Sequence, residues 1–342
     1  MIKKIFTIII IFITTIFLFL VLFFYWGIYL PKDSIKDDKF FVVREGDSLF
    51  YIAQNLEEEG IIKSGYFFIF YGVATKRGKE LKPGNYKLLS SMSVREVLDK
   101  IFSGGSERII IIEGWNLRDV AVYLEEKGYG KKEDFYRVVG IPPIYKDGKL
   151  TDQKASKIVY LEEQKNLPIE GFLFPDTYSV SPGTPMEEIV STFLFNFEKK
   201  INEEIEELIK KRGITLFETI VIASLLEKEV TSFEDKQIVS GIIKKRIEKN
   251  MRLQLDATVT YLTGKKSVMV SVGETRIPSL YNTYVYGGLP IGPICNPGME
   301  SIKAALLPKE TDYLYYLSRP TGETVFSRTF EEHVAAKNEY LK

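Results

Sequence analysis

From Ile5 to Leu30 the chain carries no charged residue, and no other stretch limits its possible folds so strongly. About 20 consecutive apolar residues span the hydrocarbon core of a bilayer, so this run is ample for a transmembrane helix. A cleaved signal peptide is the competing reading, with an apolar region of ~7–15 residues and a small-x-small cleavage site. Here the run is longer and ends Phe23-Phe24-Tyr25-Trp26, an aromatic interface belt. Lys3 and Lys4 precede it without an acidic residue, which places the N-terminus in the cytoplasm and the rest of the chain outside. The expectation is a single-pass cell-membrane protein: residues 1–4 a cytoplasmic tail, 5–30 a transmembrane helix and 31–39 a charged linker.

The 342 residues leave room for two or three domains with cores of their own. Lys and Arg balance Asp and Glu at 46 each, so nothing points to a nucleic-acid partner. Cys295 and His333 are each the only residue of their type. That excludes an intramolecular disulfide and argues against a Cys/His zinc site, so no metal and no cofactor are expected. A serine–histidine triad would have to use His333, whose setting in FEEHVAAKNEYL reads as an exposed helix.

Beyond the linker, Phe41–Val43 reads as a strand, Gly46 as a turn and Ser48 as a helix start, with Leu49, Ile52, Ala53 and Leu56 at helical spacing. The pattern V-x-x-G-D-S-L-x-x-I-A resembles the opening of LysM modules, which bind N-acetylglucosamine-containing glycans. An aromatic helix over 61–76, a turn into a strand at Leu81–Tyr86 and a helix from Ser93 complete a unit assigned to residues 40–105, closed by Gly104-Gly105. Residues 109–128 then align without gaps on 41–60, a second strand–helix copy. Its Trp115 stands where the first copy has Asp47. A Trp after such a turn is ordinarily packing, and the other reading is a sugar platform. This copy and the loop-rich residues after it form a connecting region, 106–166.

Residues 167–342 read as a mainly helical domain with short strands, so the fold class is α+β. LPIEGFLFPDTYSV places Glu170 and Asp176 around an aromatic strand. Acidic groups beside aromatic faces suit carbohydrate, and a strand with polar ends is the plainer alternative. A loop at Ser181-Pro182-Gly183 leads to one long amphipathic helix over 186–212. In FETIVIASLLEKE, residues 217–229, an almost wholly apolar helix ends in Glu227 and Glu229. At about 100° per residue the two point to nearly opposite sides. Glu227 shares a face with Ala223 and Ser224, small residues that leave room for a ligand, while Glu229 lies behind Leu225 and Leu226. A desolvated carboxyl has a raised pKa, as a general acid requires; the alternative is a helix surfacing with both groups solvated.

A further helix is expected over 233–250 and a short one within MRLQLDATVTYL, residues 251–262. In YNTYVYGGLPIGPICNPGMESIKAAL, residues 281–306, Gly and Pro fix an irregular backbone that lowers the entropy cost of presenting side chains. Asn282, Tyr284 and Asn296 are amide and phenol groups suited to sugar hydroxyls and acetamides. A helix from Ser301, a hairpin around Pro320-Thr321-Gly322 and a last helix finish the chain.

Together EGFLFPDTY, IASLLEKEV, MRLQLDATVTYL and YNTYVYGGLPIGPICNPG resemble the YceG-like family, the endolytic murein transglycosylases, over nearly the whole chain. Where family members often have a second Pro in G-L-P-P-G-P-I, this chain has Ile291. The resemblance implies an acid/base role for the first Glu of the E-K-E motif, Glu227, with Gln254, Asp256 and Asn282 near a glycan cleft. Glu170, Tyr284 and Asn296 are the further candidates for substrate contact. It implies cleavage between N-acetylmuramic acid and N-acetylglucosamine within nascent peptidoglycan strands, leaving 1,6-anhydromuramoyl ends and ending strand growth, with peptidoglycan synthases as partners. Two alternatives stay open. One is a hydrolytic muramidase with Asp256 or Glu170 as second carboxylate; the other is a tethered, non-catalytic peptidoglycan-binding protein.

Overall fold

The computed structural model describes residues 2–32, 38–44, 46–77, 81–104, 107–180, 184–265 and 270–340. Glu45, Gly105, linker residues 33–37 and the Ser181-Pro182-Gly183 loop lie outside the described residues, as do the side chains of Lys3 and Lys4. The chain divides into two compact units, Met1–Arg108 with Ser179–Pro185, and Ile109–Tyr178 with Met186–Lys342.

In the first unit, helix α1 (Ile2–Tyr29) carries exposed apolar side chains along most of its length. It holds the one candidate membrane span among the described residues, Ile9–Tyr29. Then follow β1 (Asp38–Val43), α2 (Leu49–Glu58), α3 (Gly65–Ala74), β2 (Gly84–Leu89), α4 (Val94–Ser103) and β3 (Glu107–Ile110). Strands β1 and β2 pair antiparallel, Phe41 opposite Tyr86. Ser48, Ser64 and Ser93 cap α2, α3 and α4 by accepting backbone N–H groups, which satisfies donors a helix start otherwise leaves open. Phe41, Val43, Ile52, Leu56, Phe68, Tyr86, Leu88 and Val97 form the core, and Ile28 of α1 belongs to it. This β1–α2–α3–β2 order replaces the single aromatic helix expected over 61–76 with a shorter one that begins at the Ser64 cap.

The second unit contains α5 (Leu117–Glu126), α6 (Lys132–Val139) and the hairpin β4 (Tyr145–Lys146) and β5 (Lys149–Leu150), while β6 (Thr177–Val180), like β3, runs across the division between the units. Helices α7 (Met186–Lys200), α8 (Glu203–Arg212), α9 (Leu216–Glu229), α10 (Phe233–Glu248), α11 (Asp256–Thr263) and α12 (Met299–Leu306) follow. Hairpin β7 (Tyr315–Ser318) and β8 (Thr324–Ser327) and helix α13 (Phe330–Tyr340) end the chain. Expected as one helix, 186–212 breaks at Ile201, because the Asn202 side chain accepts the Ile205 N–H and starts a new one. The aromatic strand expected in 167–180 is only four residues long. Before it, Phe172, Leu173 and Phe174 turn into the core and expose no sugar-binding face.

The two aligned segments, 41–60 and 109–128, do adopt the same strand–turn–helix course. Their turns contain Gly46 and Gly114 at φ +89° and +78°, backbone that a side chain would strain. At the heart of the unit lies α9, with Thr219 to Leu226 all buried. A helix apolar on every side is held by packing on every side. Thr215 and Glu218 close a capping box at its start, α12 and α10 pack along it, and Val230 leaves it in extended conformation.

Candidate active site

The last turn of α9 opens into a cleft of about 910 Å³, inside the range typical of ligand sites. Its walls come from the turn of the second strand–helix copy (Glu113, Gly114, Trp115), the 253–257 segment leading into α11, the β7 strand and α13. Glu229 and Lys228 line it, and Glu227 does not.

Glu229 accepts a hydrogen bond from the Tyr316 phenol at 2.9 Å and another from the Ala257 amide at the start of α11. Burial pushes its carboxyl up to about 7; the Tyr316 bond works against that, and the Asp256 charge adds to it. It therefore carries a proton over much of the neutral range. Asp256, on the same wall, accepts from the Tyr284 phenol at 2.5 Å. Tyr284 is itself pushed far up by burial and that bond, so it stays a donor. Gln254 holds its backbone at φ +53°, with its N–H on Thr283 O at 3.1 Å and its side chain exposed in the cleft. Strained backbone of this kind persists only where its surroundings enforce it. The indole of Trp115 also lines the cleft, 5.1 Å from the Tyr123 ring.

Glu227 has a different environment. Its Oε2 accepts from Ser301 Oγ at 2.5 Å and from the Gly298 N–H at 3.1 Å, and pairs with Lys236 Nζ at 3.5 Å. The two paired side chains are 10% and 5% exposed, so this is a buried ion pair joining α9, α10 and α12. Glu113 lies beside it, its carboxyl in space that a Cβ on Gly298 would need. Burial, and then the Glu227 charge, pushes Glu113 up. In the structure Glu229 lines this cleft, where the sequence pointed to Glu227, and Glu227 reaches the Glu113–Gly114 turn at its edge. The small residues beneath Glu227 make room for protein: Ser224 Oγ accepts the Ile294 N–H at 3.1 Å, and the Cys295 thiol donates to Ser224 O.

Of the six residues expected to contact substrate, the structure brings Gln254, Asp256 and Tyr284 together in the cleft. Glu170, Asn282 and Asn296 are buried elsewhere. Glu170 accepts the Leu117 N–H at 3.0 Å and the Tyr261 phenol at 3.1 Å, and burial lifts its carboxyl to about 8. Asn282 donates to the carbonyls of Thr275 and Ile277 and accepts the Tyr284 N–H at 3.0 Å. Asn296 binds Leu173 N at 3.0 Å and Trp115 O at 2.9 Å, fixing the cleft wall from behind. These three shape the site without entering it.

Glu229, Tyr316 and His333 line the cleft although the sequence did not place them there. His333 is not an exposed helix residue: its ring stacks on Tyr315 at 5.5 Å and lines the cleft. The alternation of β7 marks Tyr316 as facing away from Tyr315, but no pattern in the sequence ties it to Glu229. Among the described residues, no group of three or more His, Cys, Asp or Glu side chains is placed to hold a metal ion. Chemically the arrangement offers one carboxylic acid protonated near neutrality, a second carboxylate, phenol donors and an indole face.

The profile of the YceG-like family matches residues 41–339. A protein of Bacillus subtilis (strain 168) named endolytic murein transglycosylase is 33% identical over 329 residues, 93% of this chain and 90% of that one. A protein of the same name from Streptococcus pneumoniae serotype 2 (strain D39) is 29% identical over 85% of this chain. This chain spans 56% of that longer relative. A crystal structure of a yceG-like protein of Listeria monocytogenes is similar in fold, with TM-score 0.57 and 28% identity over 89% of this chain and 100% of that one.

Proposed function

Since the chain belongs to the YceG-like family, we propose that it is a lytic transglycosylase of peptidoglycan in which Glu229 carries the proton transfers. The observation that supports this role most directly is the position of Glu229: in the cleft, desolvated, with a carboxyl pushed up to about 7. General acids work best with a pKa near the operating pH. Glu227, the residue the motif first suggested, has its carboxylate occupied by Lys236, Ser301 and Gly298.

In this reading Glu229 starts protonated and donates to the glycosidic oxygen between N-acetylmuramic acid and N-acetylglucosamine. The C1–O bond breaks as the muramoyl C6 hydroxyl attacks C1, and Glu229 takes the proton that hydroxyl loses. A 1,6-anhydro ring closes and no water is consumed. Tyr316 and the Ala257 amide hold the carboxyl between its two tasks and stabilise it while it is charged. Asp256 places negative charge beside the carbon that gains positive character, and Gln254, Tyr284 and Trp115 supply donors and a stacking face for the sugars.

We extend this reading to the finer expectations. Helix α1 is a retained anchor with the N-terminus inside and the cleft outside; the 40–105 unit, with its β1–α2–α3–β2 order, acts as a LysM-like positioning module. Cleavage of nascent strands beside the membrane then ends their growth, in concert with synthases. Because Asp256 shares the cleft with Glu229, hydrolysis through an Asp256-activated water is the second reading. Mass spectrometry of glycan products decides: anhydromuramoyl ends support transglycosylation, and reducing ends made by the intact protein would establish hydrolysis. Wild-type turnover by Glu229→Gln would remove the residue assignment.

A further inference from the structure

The first unit does not hang from α1 by a tether alone. The last turns of α1 pack into it. Phe67 of α3 lies so close over Gly27 that a Cβ there would collide with its ring. Phe24 touches both Phe67, at 6.0 Å between ring centroids, and Phe70, at 4.3 Å. Phe23 meets Phe67 at 5.3 Å, Tyr29 meets Tyr71 at 6.3 Å, and Ile28 is buried in the unit's core. Helix α3 is thereby fixed alongside the end of the apolar run.

Depth follows from helix geometry. At 1.5 Å per residue, Phe24 lies roughly 7–8 Å below Tyr29, where the run ends. Any group held against Phe24 therefore sits at that depth too. One face of α3 is apolar and exposed: Tyr66, Phe70 and Val73, at helical positions i, i+4 and i+7, are 82%, 48% and 64% exposed. Phe70, part of this stripe, and Phe67, beside it, both touch Phe24, so the stripe borders the α1 contact. Two cations flank the same end of α1. Lys63 Nζ lies 3.8 Å from the centre of the Trp26 ring and donates to Trp26 O, and the Arg95 guanidinium lies 5.7 Å from the Tyr29 ring. Both sit over aromatic rings at the Trp26–Tyr29 end of α1.

We propose that α3 is a second membrane element, an interfacial helix whose Tyr66–Phe70–Val73 face is immersed in the outer boundary of the bilayer that α1 crosses. The proposal rests on the reading of α1 as a retained anchor. Interfacial helices bury their apolar face ~5–10 Å into the headgroup–acyl boundary, which matches the depth set by Phe24. The occupant of the face is lipid, because the contact with α1 leaves it next to whatever solvates that helix. Lys63 and Arg95 give this surface a preference for anionic headgroups. The consequence is a first unit seated on the membrane in one orientation.

The full-length protein in bilayers tests this, with an environment-sensitive fluorophore on single cysteines at Tyr66, Val73 and Leu18; Cys295 is fully buried and stays unlabelled. Vesicles contain lipids brominated either near the headgroup end of the acyl chain or near its middle. The expected result is quenching at Tyr66→Cys and Val73→Cys by shallow bromines, protection there from aqueous iodide, and quenching at Leu18→Cys by deep bromines. Deep quenching at Leu18→Cys together with iodide quenching at Tyr66→Cys and Val73→Cys overturns the interfacial helix and leaves the anchor standing. No bromine quenching at Leu18→Cys overturns the anchor, and the interfacial helix with it.

Discussion

The phenol of Tyr316 donates to Glu229 Oε2 at 2.9 Å, so the hairpin at the end of the chain holds the carboxyl at the end of α9. A hydrogen bond to the charged form lowers a carboxyl's pKa. In Tyr316→Phe the Glu229 carboxyl is expected to rise further above about 7. The alkaline limb of the kcat/KM profile then moves to higher pH, while kcat falls because the carboxyl is less firmly placed. An unmoved limb with normal kcat would show that this bond does not serve the reaction.

For the unmodified protein the sign follows from the proposed acid role of Glu229. Glu229 must begin protonated, so kcat/KM is expected to fall as pH rises through about 7. Glycan cleavage followed from pH 5 to pH 9 reads it directly.

The two carboxylates of α9 are expected to separate cleanly by readout. Glu229→Gln keeps the fold and loses activity by ~10²–10⁴-fold. Glu227→Ala leaves Lys236 buried without its partner, and breaking a buried pair from one side costs ~3–5 kcal/mol. Its loss appears in urea unfolding, while the molecules that remain folded still cleave glycan. Normal stability of Glu227→Ala with abolished turnover would return the proton-transfer role to Glu227.

Glu170 predicts a pH dependence of stability. Its folded-state carboxyl, lifted to about 8 by burial, binds a proton that the unfolded chain has already released. The unfolded state therefore binds fewer protons across this window, and stability falls as pH rises from the ordinary carboxylate range through about 8. The decline in Tm over that window is expected to be shallower in Glu170→Gln than in the natural protein. Identical slopes would place the titration elsewhere.

Gln254 separates backbone from side chain. Because φ is +53°, Gln254→Gly relieves strain and keeps the fold, yet it removes the amide from the cleft. KM for glycan is expected to rise with Tm unchanged or higher. Gln254→Val, β-branched in left-handed backbone, is expected to unfold at lower temperature.

Much of the architecture is legible in the sequence because it is local. The Ser48 and Ser93 caps, the apolar spacing of α2 and α9 and the duplicated strand–turn–helix all follow from residues near one another. The site was legible only as a region. Helical periodicity separates Glu227 from Glu229 by about 200°, but it does not say which side meets protein and which meets the cleft. Small Ala223 and Ser224 read as space for a sugar, and the backbone of Ile294 and Cys295 fills that space. Asn282 and Asn296 are buried for a related reason. An irregular loop leaves many backbone groups without ladder partners, and nearby amides turn inward to satisfy them. Tyr316 was invisible because its partner lies 87 residues earlier in the chain.

The turn that carries Trp115 is tied to the far end of the sequence: Gly114 N donates to Asn296 O at 2.9 Å, and Asn296 N returns a bond to Trp115 O at 2.8 Å. Contacts so distant along the chain form late, because the intervening loop must close first. A chain cut short of residue 296 therefore lacks the backbone partner that holds this turn, and with it the fixed position of the Trp115 side of the cleft.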